Sequence, residues 1–260
     1  MMKLFNDLYS YRELLKSNIK KEIRGKYKGS FLGILWSFVN PLLMTLVYAM
    51  VFPYLMRGSA YEHYTVFLIV GILPWNWFIT SIIQGASIVL CNAGIVKKVY
   101  FPREILPISV VTSAMINFLI SCLVIALFLI FSGIGFSWYI LYLPYIVLVQ
   151  YVLTLSITFI ISALDVFVRD LEYIVNFFIQ MAFYMTPILY APSMFENTKF
   201  AFIMKINPMA IVINSYKNIF YWQTAPHVKG LFFVLIGSVL FCYLGLTIFR
   251  KLSKRFAEEI

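Results

Sequence analysis

The sequence predicts an all-α, polytopic membrane protein with six transmembrane helices, an N-terminal amphipathic interface helix and short re-entrant helices between spans five and six. Three observations carry that prediction. Of 260 residues, 62% are hydrophobic and 12% charged, against about 45–50% apolar and about 25% charged in soluble domains. The mean hydropathy is +0.87, which reflects more apolar surface than one soluble core can hide. The apolar residues also run in continuous blocks rather than alternating. In lipid the backbone must satisfy its own hydrogen bonds, so continuous blocks mean helices, not a barrel.

Residues 1–29 form the first unit, a cytoplasmic amphipathic interface helix. It has neither the continuous apolar core nor the small-residue cleavage site of a signal peptide. On a helix, Leu4, Leu8, Tyr11, Leu15 and Ile19 make one stripe, bordered by Phe5 and Ile23, with Glu13, Lys16, Lys20 and Arg24 opposite. Such a stripe suits a membrane surface or a protein partner. Gly25, Gly29, Gly33 and Ser37 recur every four residues where the chain enters the membrane, an interval that admits close helix approach.

Residues 30–250 form the transmembrane unit, with spans at 31–56, 65–90, 106–131, 139–163, 172–190 and 229–249. Each is near the ~20 residues needed to cross a bilayer. Pro74, beside Trp75, Asn76 and Trp77, is expected to kink the second. The 190–227 stretch is too long for a tight turn, and its apolar run 200–214 is broken by Lys205, Asn207 and Pro208. It reads as an external re-entrant gate region of two short helices, with a loop packed on the surface as the alternative. Asn207-Pro208 marks a helix start, and Met209, Val212, Ile213, Tyr216, Ile219 and Phe220 would share one side. Residues 251–260 are a cytoplasmic tail.

The net charge of +10 could suggest nucleic acid, but the cations cluster between apolar blocks and at the termini. Residues 3–28, Lys97, Lys98, Arg103, Arg169 and 250–255 fall on one side. The other side holds only Arg57, Lys199, Lys205, Lys217 and Lys229. The positive-inside bias makes the rich side cytoplasmic, with both termini there. Cys91, Cys122 and Cys242 lack metal-ligand spacing and read as small hydrophobes. His63 and His227 are isolated loop residues.

Two spans could line a path. In the fifth, Tyr173, Phe177, Gln180 and Tyr184 share a face with Asn176 beside them. Aromatic rings offer apolar faces with polar tips, and amides donate and accept. That uncharged set suits a sugar chain and suits a metal ion poorly. The first span carries a looser row of Trp36, Asn40, Met44, Tyr48 and Phe52. In both, helix packing through amide hydrogen bonds is the competing reading.

No Asp, Glu, Lys or Arg lies deep in a span, as ion-coupled carriers usually require. Nor is there a phosphate loop of the Gly-x-x-x-x-Gly-Lys-Ser/Thr type. Uphill transport would therefore draw its energy from another chain. Between spans two and three, Lys97, Lys98, Tyr100, Phe101, Arg103 and Glu104 combine charge with aromatics of the kind that anchor interfaces. Asp165, Arg169, Asp170 and Glu172 join spans four and five, with Arg169 expected to pair with a neighbouring acid.

The run from Arg24 through Gly33-Ile-Leu-Trp-Ser-Phe-Val-Asn-Pro41 to Phe52 strongly resembles the permease subunits of ABC-2 exporters for polysaccharides and teichoic acids. The resemblance continues through Gly71-Ile-Leu-Pro-Trp75, the block Val96 to Pro107, Arg169-Asp170, Thr186-Pro187 and Asn207-Pro208. It implies a homodimer of permeases with two separate ATP-binding subunits, which bind the ATP and Mg, so that no cofactor and no catalytic residue belongs to this chain. The implied substrate is a lipid-linked glycan such as O-antigen, teichoic acid or capsule, exported across the bacterial cytoplasmic membrane. The first and fifth spans would face the path, and 97–104 with the N-terminal helix would receive motion from the ATPase. A lipid or drug exporter of the same fold is one rival. A membrane glycosyl- or acyltransferase is another, with Asp165, Asp170 and Glu172 as its candidate carboxylates. Nucleic-acid binding is not expected.

Overall fold

The computed structural model describes residues 7–25, 62–195, 198 and 200–260, with scattered positions between 35 and 51. Among these residues every regular element is a helix. The elements are α1 (Arg12–Gly25), α2 (Tyr64–Cys91), α3 (Ala93–Lys98), α4 (Ile105–Phe131), α5 (Leu143–Asp165), α6 (Leu171–Met185), α7 (Phe200–Ile206), α8 (Pro208–Lys217), α9 (Val228–Ser253) and α10 (Phe256–Glu259).

Four helices are long and apolar enough to cross a bilayer: Tyr64–Cys91, Ile105–Phe131, Trp138–Asp165 and Val228–Ser253. These match the second, third, fourth and sixth expected spans. The first lies mostly outside the described residues. The fifth, expected at 172–190, is helical only over the 15 residues of α6, about 22 Å of helix. It stops because Pro187 disfavours helical backbone at the residue before it, and Thr186 is extended (φ −107°, ψ 136°).

Helix α5 is the hub, packing on α2, α4 and α9. Close approach is made possible by glycines: a Cβ on Gly85 would lie 2.3 Å from Thr158 Cγ2, and one on Gly245 2.9 Å from the Ser156 carbonyl. Serines and threonines along α5 return their hydroxyls to their own helix, as with Thr154 to the Gln150 carbonyl at 2.7 Å and Thr158 to the Thr154 carbonyl at 2.8 Å. Gln150 reaches sideways instead, and its Nε2 donates to the Pro74 carbonyl at 2.8 Å.

The core falls into two clusters. One joins α2, α4, α5 and α8, where the Phe118 ring stacks on Trp77 and meets Tyr216 edge-on. The other sits at the opposite, lysine- and arginine-rich end and contains Val96, Phe101, Phe159, Phe249 and Phe256. The stripe of the N-terminal helix settles on this second cluster through Leu8, Tyr11, Leu14 and Leu15, and Lys21 Nζ donates to Asn92 Oδ1 at 2.8 Å. The apolar face thus covers protein. Of the small-residue series only Gly25 is described, and a Cβ there would meet no described atom within 4 Å.

Candidate functional site

The fifth-span stripe forms as the spacing requires. Tyr173, Phe177 and Tyr184 are 76%, 60% and 70% exposed. Gln180 is exposed and Asn176 partly so, and the two amides pair, Gln180 Nε2 donating to Asn176 Oδ1 at 3.3 Å. Only Ile179 of α6 is buried. The helix leans on α2 through Phe183, whose ring meets Trp75 edge-on. Its uncovered arc is wider than the five expected residues, for Ile174, Phe178 and Met181 are also exposed. Among the described residues, the contacts of these five side chains are with α6 itself, Phe177 against Phe178, Tyr184 against Phe183 and Gln180 with Asn176. Of the first-span row, Trp36 is helical and half-buried and Met44 is exposed. Asn40, Tyr48 and Phe52 lie outside the described residues.

The 97–104 segment divides. Lys97 and Lys98 are exposed and Tyr100 stands out at 95% exposure. Phe101 turns into the second core cluster. Arg103 donates to the Ser253 carbonyl and lies over the Phe256 ring, 5.8 Å from its centroid. Glu104 accepts from Arg250 Nε at 2.7 Å in a partly buried pair. Half of the patch therefore fastens the segment to the end of α9 and to α10, which pack directly beneath it. Residues 250–256 did not figure as partners in the sequence, because about 150 positions separate them from the loop and nothing local links the two.

At the α5–α6 corner, Asp165 is buried and its Oδ1 has no hydrogen-bond partner among the described residues. Asp170 and Arg169 are exposed. No described carboxylate lies within ion-pair distance of Arg169, so the expected self-pairing is absent. Of the three carboxylates at this corner, Asp165 is buried, Glu172 partly buried and Asp170 exposed.

At the other end the expected helix start is present. Asn207 Oδ1 accepts from Met209 N at 3.0 Å and Pro208 opens α8. Met209, Val212, Ile213, Tyr216, Ile219 and Phe220 are all buried, so this face belongs to the core and is no surface loop. Lys217, counted in the sequence among the few cations of the sparse side, is also buried. Its Nζ donates to the carbonyls of Pro187 at 2.6 Å, Ile188 at 2.9 Å and Tyr190 at 3.4 Å.

Residues 13–221 match the family model described as ABC-2 type transporter. The chain belongs to the ABC-2 type transporter family. Its relatives include a Myxococcus xanthus protein named O-antigen export system permease protein RfbA, 36% identical over 261 residues and covering all of both chains. Two Klebsiella pneumoniae proteins of the same name are each 38% identical, over 250 and 248 residues, covering 95% of this chain and 94% of theirs. The matched range of this ABC-2 chain runs from α1 through α8, and so takes in the open stripe, the 97–104 segment and the buried lysine.

Proposed function

We propose that this chain is the permease subunit of an exporter that carries a lipid-linked polysaccharide of the O-antigen type from the cytoplasmic to the outer side of a bacterial cell membrane. The observation that carries this reading is the uncharged aromatic and amide stripe left open on α6. Hydrophobic residues facing lipid need no amides, and a cation path would need charge or converging carbonyls. Glycans present apolar C–H faces and hydroxyls together, which rings and amides can meet by weak, exchangeable contacts. The relatives' names point the same way.

On this reading two copies bring their α6 stripes, and the first-span row, to a shared corridor. The lysine- and arginine-rich end is cytoplasmic, with both termini there and six crossings in all, and 190–227 forms the external gate region. Two ATP-binding subunits hold ATP and Mg and dock on the cytoplasmic face, with Tyr100 and Lys97-Lys98 of the coupling segment turned toward them. Their closure pushes the segment. Because Phe101, Arg103 and Glu104 tie it to α9 and α10, the push reaches the last span as well as α4.

The test is export by Phe177→Ala and Tyr184→Ala in cells that make the glycan. Each lost ring contact is worth about 0.5–1.5 kcal/mol, so export should slow roughly 2- to 10-fold while the complex assembles normally. Normal export in both variants removes the stripe from the path. Loss of a lipid or drug flux with glycan export intact would favour the rival cargo.

A further inference from the structure

Helix α6 ends at Met185, the residue after Tyr184, and the next six residues are not helical, so their carbonyls need donors from elsewhere. Every one from Pro187 to Tyr190 has one. Lys217 Nζ donates to Pro187, Ile188 and Tyr190, and Tyr64 Oη donates to the Leu189 carbonyl at 2.7 Å. The helix end is tied in as well. Thr186 Oγ1 donates to the Ala182 carbonyl at 2.8 Å, Tyr190 Oη to the Tyr184 carbonyl at 2.8 Å, and Asn207 Nδ2 to Thr186 Oγ1 at 2.9 Å.

The ammonium is central to this arrangement. It has three protons and no acceptor capacity, and it meets three carbonyls. It also lies 3.4 Å from the centroid of the Phe67 ring, a cation–π contact in a dry setting. Phe67 and Gly71 place it within the first two turns of α2, among the membrane-crossing apolar residues. There an unpaired charge would be very costly. Gly71 makes room: a Cβ on it would sit 3.1 Å from the Ile188 carbonyl oxygen and 3.3 Å from Lys217 Cε. One side chain on α8 thus holds the loop that continues the path helix, against the first turns of α2.

We infer that Lys217 is a positioning residue for transport, a latch from the 208–217 helix that fixes loop 186–191 and so sets the outer end of the α6 path. This rests on the reading of α6 as the path helix. The ammonium itself does not touch the cargo, because it is only 1% exposed. Its contribution is to keep the six residues of irregular backbone 186–191 in one conformation at the point where the stripe ends. Lys217→Met keeps the length of the side chain and removes all three donors. Tyr64→Phe removes one donor and leaves the lysine in place.

The experiment uses the full chain with its ATP-binding subunits, with the native cysteines replaced and one cysteine introduced at Ala191, which is 4% exposed. Labelling by a polar maleimide is timed in the purified complex, with a cysteine at the 87%-exposed Trp138 as control. Lys217→Met should speed labelling at Ala191 about tenfold or more, since opening of the loop no longer breaks charge-assisted bonds. The control rate should not change, and export should fall at least as far as in Tyr184→Ala. If Lys217→Met does not accumulate, Tyr64→Phe decides by the same two readouts, with a smaller rise expected. Labelling equal to the parent overturns the latch whatever the cargo. Faster labelling with full export overturns its role in positioning the path. Because labelling needs no substrate, failure of the latch is distinguishable from failure of the stripe, which Phe177→Ala and Tyr184→Ala report.

Discussion

Tyr100 and Phe101 are neighbours in the chain and opposites in the fold. The tyrosine is 95% exposed and the phenylalanine 5%, because Phe101 turns into the cluster with Phe249 and Phe256 while Tyr100 points away from it. Their substitutions should therefore separate. Tyr100→Ala should leave thermal stability unchanged and lower the ratio of glycan exported to ATP hydrolysed. Phe101→Ala should lower stability by about 3 kcal/mol or more, read as an earlier unfolding transition of the purified complex. Equal stability losses, or no change in coupling for Tyr100→Ala, would reject this division. The sequence showed the whole segment as a charged, aromatic patch. It could not say which members face inward, since Arg250, Ser253 and Phe256, which hold Glu104 and Arg103, come from the far end of the chain. The burial of Lys217 escapes the sequence for a related reason. A lysine after an apolar helix looks like a solvated flank, and its carbonyl acceptors are supplied by a loop 27 to 30 residues earlier.

At the scale of the element, the long spans were legible because apolar length alone defines a crossing helix. The boundaries agree within a few residues for α2, α4, α5 and α9. Helix α6 was read too long because Pro187-Ile-Leu-Tyr190 continues the apolar run, and hydropathy does not register that Pro187 ends the helix at the residue before it. The glycines show what spacing omits. Gly245 on α9 faces the backbone of α5, where neither side can yield. Gly245→Ala should therefore cost about 1–3 kcal/mol by overpacking, seen as a lower unfolding temperature of the purified protein. An unchanged temperature would mean that the α5–α9 contact is loose. Gly25 meets no described atom within 4 Å of a Cβ placed on it, and the rest of its repeat lies outside the described residues.

For the whole molecule, the two ends divide the tasks. The lysine- and arginine-rich end gathers the 97–104 segment, through Phe101, with α9, α10 and the N-terminal helix into one apolar cluster. The other end packs α8 into the core and fixes the loop after α6 through one buried lysine. Between them one helix, α6, leaves rings and amides exposed among the described residues. Helix α9 exposes Phe232, Phe233 and Leu240 instead, an apolar set suited to lipid. The central claim is that these two exposed surfaces see different surroundings during export. Photoreactive residues placed singly at Tyr184 and at Phe233, in the full chain with its ATP-binding subunits in glycan-producing cells, measure that difference directly. Glycan adducts at Tyr184 and lipid adducts at Phe233 are the expected result. Lipid adducts alone at Tyr184, or glycan adducts equal at both positions, would contradict the account.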